Sequence, residues 1–85
     1  MKRGTMTVKA YIMMNVNAGS EDEVCGELVE FEEVEEVATI YGEYDAVIKV
    51  HAKDMGHLDR FILDKLREIP NIILTATMLI AKKFK

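Results

Sequence analysis

Five residues near the middle of the chain, Tyr41-Gly42-Glu43-Tyr44-Asp45, concentrate groups that could do chemistry. They bring together two carboxylates, the Tyr44 phenol and a glycine whose amide can be approached closely. A connection that only reversed the chain would not require both Tyr44 and Asp45. Further on, Thr75 and Thr77 put two hydroxyls on one side of an apolar run. A zwitterion such as an amino acid needs donors for its carboxylate and acceptors for its ammonium. Backbone amides and a threonine hydroxyl can supply the first, and Asp45 or Glu43 the second. The plainer reading is that Asp45 satisfies turn amides and the threonines simply favour strands. The residues alone leave both readings open.

Other chemistry is sparse. There is no nucleophile-base pattern, phosphate loop or metal motif. Cys25 sits among acids, which raise a thiol pKa, so its expected role is packing. His51 and His57 flank a strand-to-helix corner and lack ligand spacing to each other or to Cys25. No metal and no other cofactor is therefore expected. The methionines read as adaptable filler. The acidic run from Glu30 to Glu36 reads as a solvated helix end.

Eighty-five residues suffice for one domain, so the whole span 1–85 is read as a single unit. A core of that size is modest, and association is a common supplement. No apolar run approaches the ~18 residues of a membrane span. The basic start Met1-Lys2-Arg3 is not followed by a signal-peptide core. The single cysteine excludes an internal disulfide, and a cytoplasmic location is expected. The net charge of −4 hides an asymmetry: bases gather at both ends, while Glu21 to Glu36 contains none. Phosphate binding needs a cationic face, so direct nucleic-acid binding is not expected.

The elements that must position these groups follow from periodicity. Thr7 to Asn15 alternates as a strand. Ser20 with Glu23 has the form of a capping box, opening a helix of roughly Glu21 to Phe31 with Val24, Leu28 and Phe31 inward. Strands of about Val34–Tyr41 and Ala46–Ala52 flank the Gly42–Asp45 corner as a hairpin. Asp54 is a plausible N-cap for a helix from Met55 to about Ile69, striped by Leu58, Phe61, Ile62, Leu66 and Ile69 and ended by Pro70. A last strand runs from Ile72 to Ile80. Strand-helix-strand-strand-helix-strand is the ferredoxin-like α+β order, with two helices on one face of an antiparallel sheet. Right-handed crossovers put the second and fourth strands at the edges.

Alternation then assigns Val8, Ala10, Ile12, Met14, Ile40, Ile48, Val50, Leu74 and Met78 to the helix side. Tyr11, Met13, Val37, Thr39, Val47, Ile73, Thr75, Thr77 and Leu79 fall on the open face. An open face with that many apolar groups is expected to pack against a second copy.

From Val37 to Ile80 the residues also resemble a known family. Gly42-Glu43-Tyr44-Asp45, Lys53-Asp54-Met55, Leu66-Arg67-Glu68-Ile69-Pro70 and Thr75-Ala76-Thr77 together resemble the C-terminal effector-binding (RAM) domain of the Lrp/AsnC transcription regulators. The likeness extends in pattern from Val8 to Ala81. Asn71 stands where the family usually has glycine, and asparagine tolerates the same backbone region. The resemblance implies sheet-to-sheet dimers, further assembly commonly to octamers, and amino-acid effectors bound between dimers. It implies Gly42, Glu43, Tyr44, Asp45, Thr75 and Thr77 as effector contacts. With few residues before the first strand, the chain is expected to lack the family's helix-turn-helix and to act through full-length relatives. The competing expectations are a small dimeric enzyme of the monooxygenase type, for which His51 and Tyr11 are the only candidates, and a ligand-free architectural oligomer.

Overall fold

The computed structural model describes residues 7–85; Lys2 and Arg3 of the basic N-terminal end lie outside them. The strands are β1 (Val8–Val16), β2 (Val34–Thr39), β3 (Ala46–Ala52) and β4 (Ile72–Leu79). The helices are α1 (Glu21–Leu28) and α2 (Met55–Arg60). All strand pairs are antiparallel, in the order β2-β3-β1-β4. The second and fourth strands therefore form the edges, and the chain has the ferredoxin-like α+β topology.

One core holds the layers together. Ala10, Ile12 and Met14 of β1 and Ile48 and Val50 of β3 are fully buried. They pack with Val24 and Leu28 of α1 and with Leu58, Phe61, Leu66 and Ile69 of the second helical stretch. Both helices thus cover the same face.

That second stretch is not a uniform α-helix. α2 passes into a π-helical turn at Phe61–Lys65 and a 3-10 turn at Leu66–Glu68, with the Leu66 amide shared between the Ile62 carbonyl and the Phe61 carbonyl five residues back. The wider turn has a packing rationale. Phe61 and Leu66 are too far apart to share one side of a 3.6-residue helix, and i→i+5 bonding brings both inward. Asp54 caps α2 as expected, its Oδ1 accepting from the His57 amide at 2.8 Å and lying 2.7 Å from the His57 ring.

Several expectations need correction. Ser20 makes no side-chain cap; its carbonyl instead accepts the Val24 amide at 2.9 Å. α1 stops at Leu28, where Glu30 and Phe31 tighten into i→i−3 turns. That exit carries Phe31 edge-on to Phe61, with ring centroids 5.7 Å apart. β2 ends at Thr39, so the connection to β3 is longer than a tight hairpin.

The largest correction concerns the sheet faces. Directly paired residues share a face. Ile12 pairs with Thr77 and Met14 with Thr75, while Tyr11 pairs with Met78 and Asn15 with Leu74. Thr75, Thr77 and Leu79 therefore lie on the helix side of β4, and Leu74 and Met78 on the open face. In β2, Val37 pairs with Ile48 and Thr39 with Ala46, which also turns them to the helix side. Register shifts at Val34/Glu36 and at Asn15/Val16 exchange the faces, because one inserted residue reverses the alternation. The open face keeps Tyr11, Met13 and Val47, gains Leu74, Ala76 and Met78, and carries Lys9, Glu36, Lys49 and His51 as well.

Asn71 does occupy left-handed backbone, at φ 76°, and is tied to Asn17 through both backbone and side chain.

Three carboxylates give the fold a defined acid response. Burial opposes ionisation of Glu33, but the Lys65 ammonium bonded to it at 2.8 Å outweighs this and holds its pKa below the usual value. Glu35 is also lowered: desolvation opposes the shift, and Lys9, then His51 and Lys49, override it. The hydrogen bonds from the His57 ring and amide lower Asp54. A carboxylate depressed in the folded state contributes stability that is complete above its ordinary pKa and lost as pH falls through the folded value. Melting temperature should therefore drop once pH falls below about 4.5, the ordinary value for glutamate. Glu33→Gln should flatten that acid limb in a series of thermal melts; an unchanged limb would remove Glu33 from the account.

Candidate functional site

The corner is built around Asp45. Its amide donates to the Met14 carbonyl, its carbonyl accepts from the Ile40 amide, and its Oδ2 accepts from the Val16 amide, each at 2.9 Å. One residue thus ties the end of β1 to the start of β3. Oδ1 has no hydrogen-bond partner among the described residues, which leaves one carboxylate oxygen able to accept from elsewhere.

Gly42 has φ 127°, and a Cβ built there would meet nothing within 4 Å. Glycine is required by the backbone conformation, not by crowding. Tyr41 stands fully in solvent, Gly42 and Glu43 are exposed, and Tyr44 and Asp45 are half-buried.

A cleft of about 360 Å³ opens beside this corner, lined by Glu21, Asp22, Thr39, Ile40, Tyr41 and Asp45. Glu21 and Asp22 were not among the sequence-predicted site residues. Their visible signal, acids in the first turn of a helix, reads equally well as dipole compensation. Three carboxylates without a cation in the lining suit a ligand ammonium.

Thr75 and Thr77 are exposed and do not line this cleft. Met14 pairs with Ala46 on one side and Thr75 on the other, so the three share a row across β3, β1 and β4. Two strand spacings separate Ala46 from Thr75, roughly 10 Å. The fold brings the threonines to the same flank as the corner without bringing them into contact with it.

Elsewhere, burial raises the Cys25 pKa, with Asp22 and Glu21 adding to it, as the acidic surroundings implied. No group of three or more His, Cys, Asp or Glu positioned for a metal occurs among the described residues. No described helix is long and apolar enough to cross a membrane.

These features define a ferredoxin-like α+β domain with an acid-lined cleft at one end of its sheet. Residues 9–85 match the family model described as the Lrp/AsnC ligand binding domain, and the chain belongs to that family. HTH-type transcriptional regulator FL11 of Pyrococcus abyssi is 40% identical over 76 residues, covering 89% of this chain and 50% of that protein. The chain spans about half the length of the curated relatives it matches. A solved structure described as hypothetical protein PHS023 from Pyrococcus horikoshii is 41% identical, with TM-score 0.84 over 89% of this chain and 92% of that one. The transcriptional regulator NMB0573/L-Met complex from Neisseria meningitidis, 19% identical, shares the fold with TM-score 0.85 over 92% of this chain and 52% of that one. The curated relatives are named as transcriptional regulators, and the matched family model describes a ligand-binding domain.

Proposed function

We propose that the chain is an amino-acid-sensing and oligomerisation module, adjusting transcription through full-length Lrp/AsnC relatives and not by gripping DNA itself. In this reading residues 1–85 form one ligand-binding domain. The observation that carries it is the corner cleft, where Asp45 keeps one carboxylate oxygen available beside Glu21 and Asp22. An amino acid's ammonium fits those acids, and the exposed backbone around Gly42 and Glu43 can meet its carboxylate. The neighbour in complex with L-Met supports the ligand class.

In this reading Gly42, Glu43, Tyr44 and Asp45 belong to one wall of a shared site, with Asp45 the one of the four that lines the cleft itself. Thr75 and Thr77 stand too far from it, roughly 10 Å across two strand spacings, for one α-amino group and carboxylate to bridge both within a protomer. They contribute instead to the wall presented to a neighbouring copy. The apolar stripe of Tyr11, Met13, Val47, Leu74 and Met78 on the open face supports a sheet-to-sheet homodimer; further assembly of dimers to an octamer is what the family resemblance implies.

Thermal melts across the common amino acids test the sensing claim. A ligand at about 100 times its Kd should add roughly 2.7 kcal/mol of stability. A panel in which no amino acid moves either melting or assembly size contradicts it.

A further inference from the structure

The two edges of the sheet are not alike. β2 carries Glu35 and Glu36 and an irregular register against β3, and both discourage a further strand from pairing there. β4 has no charged residue, and none stands between Glu68 and Lys82. Its register shift lies near its start, beside Asn15 and Val16. Four large apolar side chains of this one strand, Ile73, Leu74, Met78 and Leu79, stand exposed. A long, uncharged edge with open amides and carbonyls is a template for another strand.

The outward backbone groups follow from the pairing with β1. The Ile80 amide donates to the Lys9 carbonyl, so by alternation the even-numbered residues turn their backbone groups to β1. Thr75, Thr77 and Leu79 turn theirs to the free edge.

The strand also reads alike in both directions. From Ile72 to Ile80 it runs Ile-Ile-Leu-Thr-Ala-Thr-Met-Leu-Ile, a chemical palindrome centred on Ala76. A strand that meets its own copy antiparallel, about a twofold axis, faces its own reverse, so here like meets like. With the axis at Ala76, Thr75 falls opposite the partner's Thr77, and Leu74 opposite the partner's Met78. The faces agree, since Thr75 and Thr77 both lie on the helix side and Leu74 and Met78 both on the open face. The hydrogen bonds agree as well: Thr75 and the partner's Thr77 exchange the amides and carbonyls that β1 leaves free. A register displaced by one residue would set outward-facing groups against inward-facing ones. A displacement of two would set a threonine against Ile73 or Leu79.

We propose that the free edge of β4 is a self-pairing surface whose occupant is β4 of a second copy, antiparallel about an axis at Ala76. The two sheets then become one, with the helices of both copies on the same side. This contact is separate from packing through the open face, which it leaves uncovered. It rests on the proposed function only in needing the chain to associate with itself. It also gives Thr75 and Thr77 a defined place, at a join between copies.

Disulfide trapping of the full chain tests the pairing. In this register Ala76 lies opposite itself as a non-hydrogen-bonded pair, with Cα atoms about 4.5 Å apart and within disulfide reach. In a Cys25→Ala background at micromolar concentration, Ala76→Cys should become mostly covalent dimer on mild oxidation. Leu74→Cys would sit roughly 13 Å along the strands from its own copy and should give at least tenfold less. Adding Thr77→Pro removes an outward amide that bonds nothing within the protomer, a change an edge strand tolerates. It should cut trapping of Ala76→Cys at least tenfold, and Thr75→Lys, which keeps every backbone group, should do the same. No covalent dimer from Ala76→Cys, equal trapping of Leu74→Cys, or trapping that survives both edge substitutions overturns the proposal. In each case a parent of oligomeric mass leaves the oligomerisation reading standing, whereas a monomeric parent removes both.

Discussion

Replacing Asp45 by alanine should lower stability and abolish amino-acid binding together. The Val16 amide would lose its acceptor in a part-buried position. Leaving such a donor unsatisfied costs about 1–3 kcal/mol. In a domain of this size each kcal/mol is worth about 4–8 °C in Tm. Asp45→Asn separates the two roles. Its amide oxygen can still accept from Val16, so melting should return close to that of the parent. The negative charge facing the cleft is gone, so a ligand ammonium should bind at least tenfold more weakly. Calorimetric titration of both variants against the amino acid that stabilises the parent checks this. Full binding by the asparagine variant would leave Asp45 only its structural role.

The second large effect is expected on the open sheet face. Leu74 and Met78 are both about half exposed, at 53% and 48%, and neither belongs to the core. Changing both to glutamate should therefore spare the fold. If a second copy covers them, each substitution forfeits about half of the roughly 1.5–3 kcal/mol of full burial, and does so in both protomers. Together that is about 3–6 kcal/mol, or two to four powers of ten in dimer dissociation constant. Light scattering at micromolar concentration should show a monomer in place of the parent's assembly. A parent chain that is already monomeric there, or a double variant that keeps the parent's mass, contradicts sheet-to-sheet association.

The elements that could be read from the sequence are those with one unambiguous buried face. Ala10, Ile12 and Met14 alternate cleanly, and all three are fully buried. Asp54 followed by an apolar repeat announced both the cap and the helix. Asn71 at a family glycine position foretold its positive φ.

β4 was not legible in the same way. Ile72, Ile73 and Leu74, then Met78 and Leu79, put apolar groups on both parities, so hydrophobicity could not choose a register. Only the shift beside Val16 fixes the face, and it turns Thr75 and Thr77 toward the helix side. The extra residue in β2 near Glu35 had the same effect on Val37 and Thr39.

The corner was visible as an excess of polar groups, but half of its cleft was not. Glu21 and Asp22 lie far from Asp45 in sequence. They meet it because Asp45 binds the end of β1, and α1 starts a few residues later. That is a tertiary fact with no local sequence signature.

Native mass spectrometry across the common amino acids most directly tests the claim that the corner holds an effector within an assembly. It should find multiples of the 9.7 kDa protomer, with at least one amino acid changing the distribution of assembly sizes as it binds. That response should disappear in Asp45→Asn. Absence of any bound amino acid or size change across the panel, or a response that survives Asp45→Asn unaltered, would contradict it.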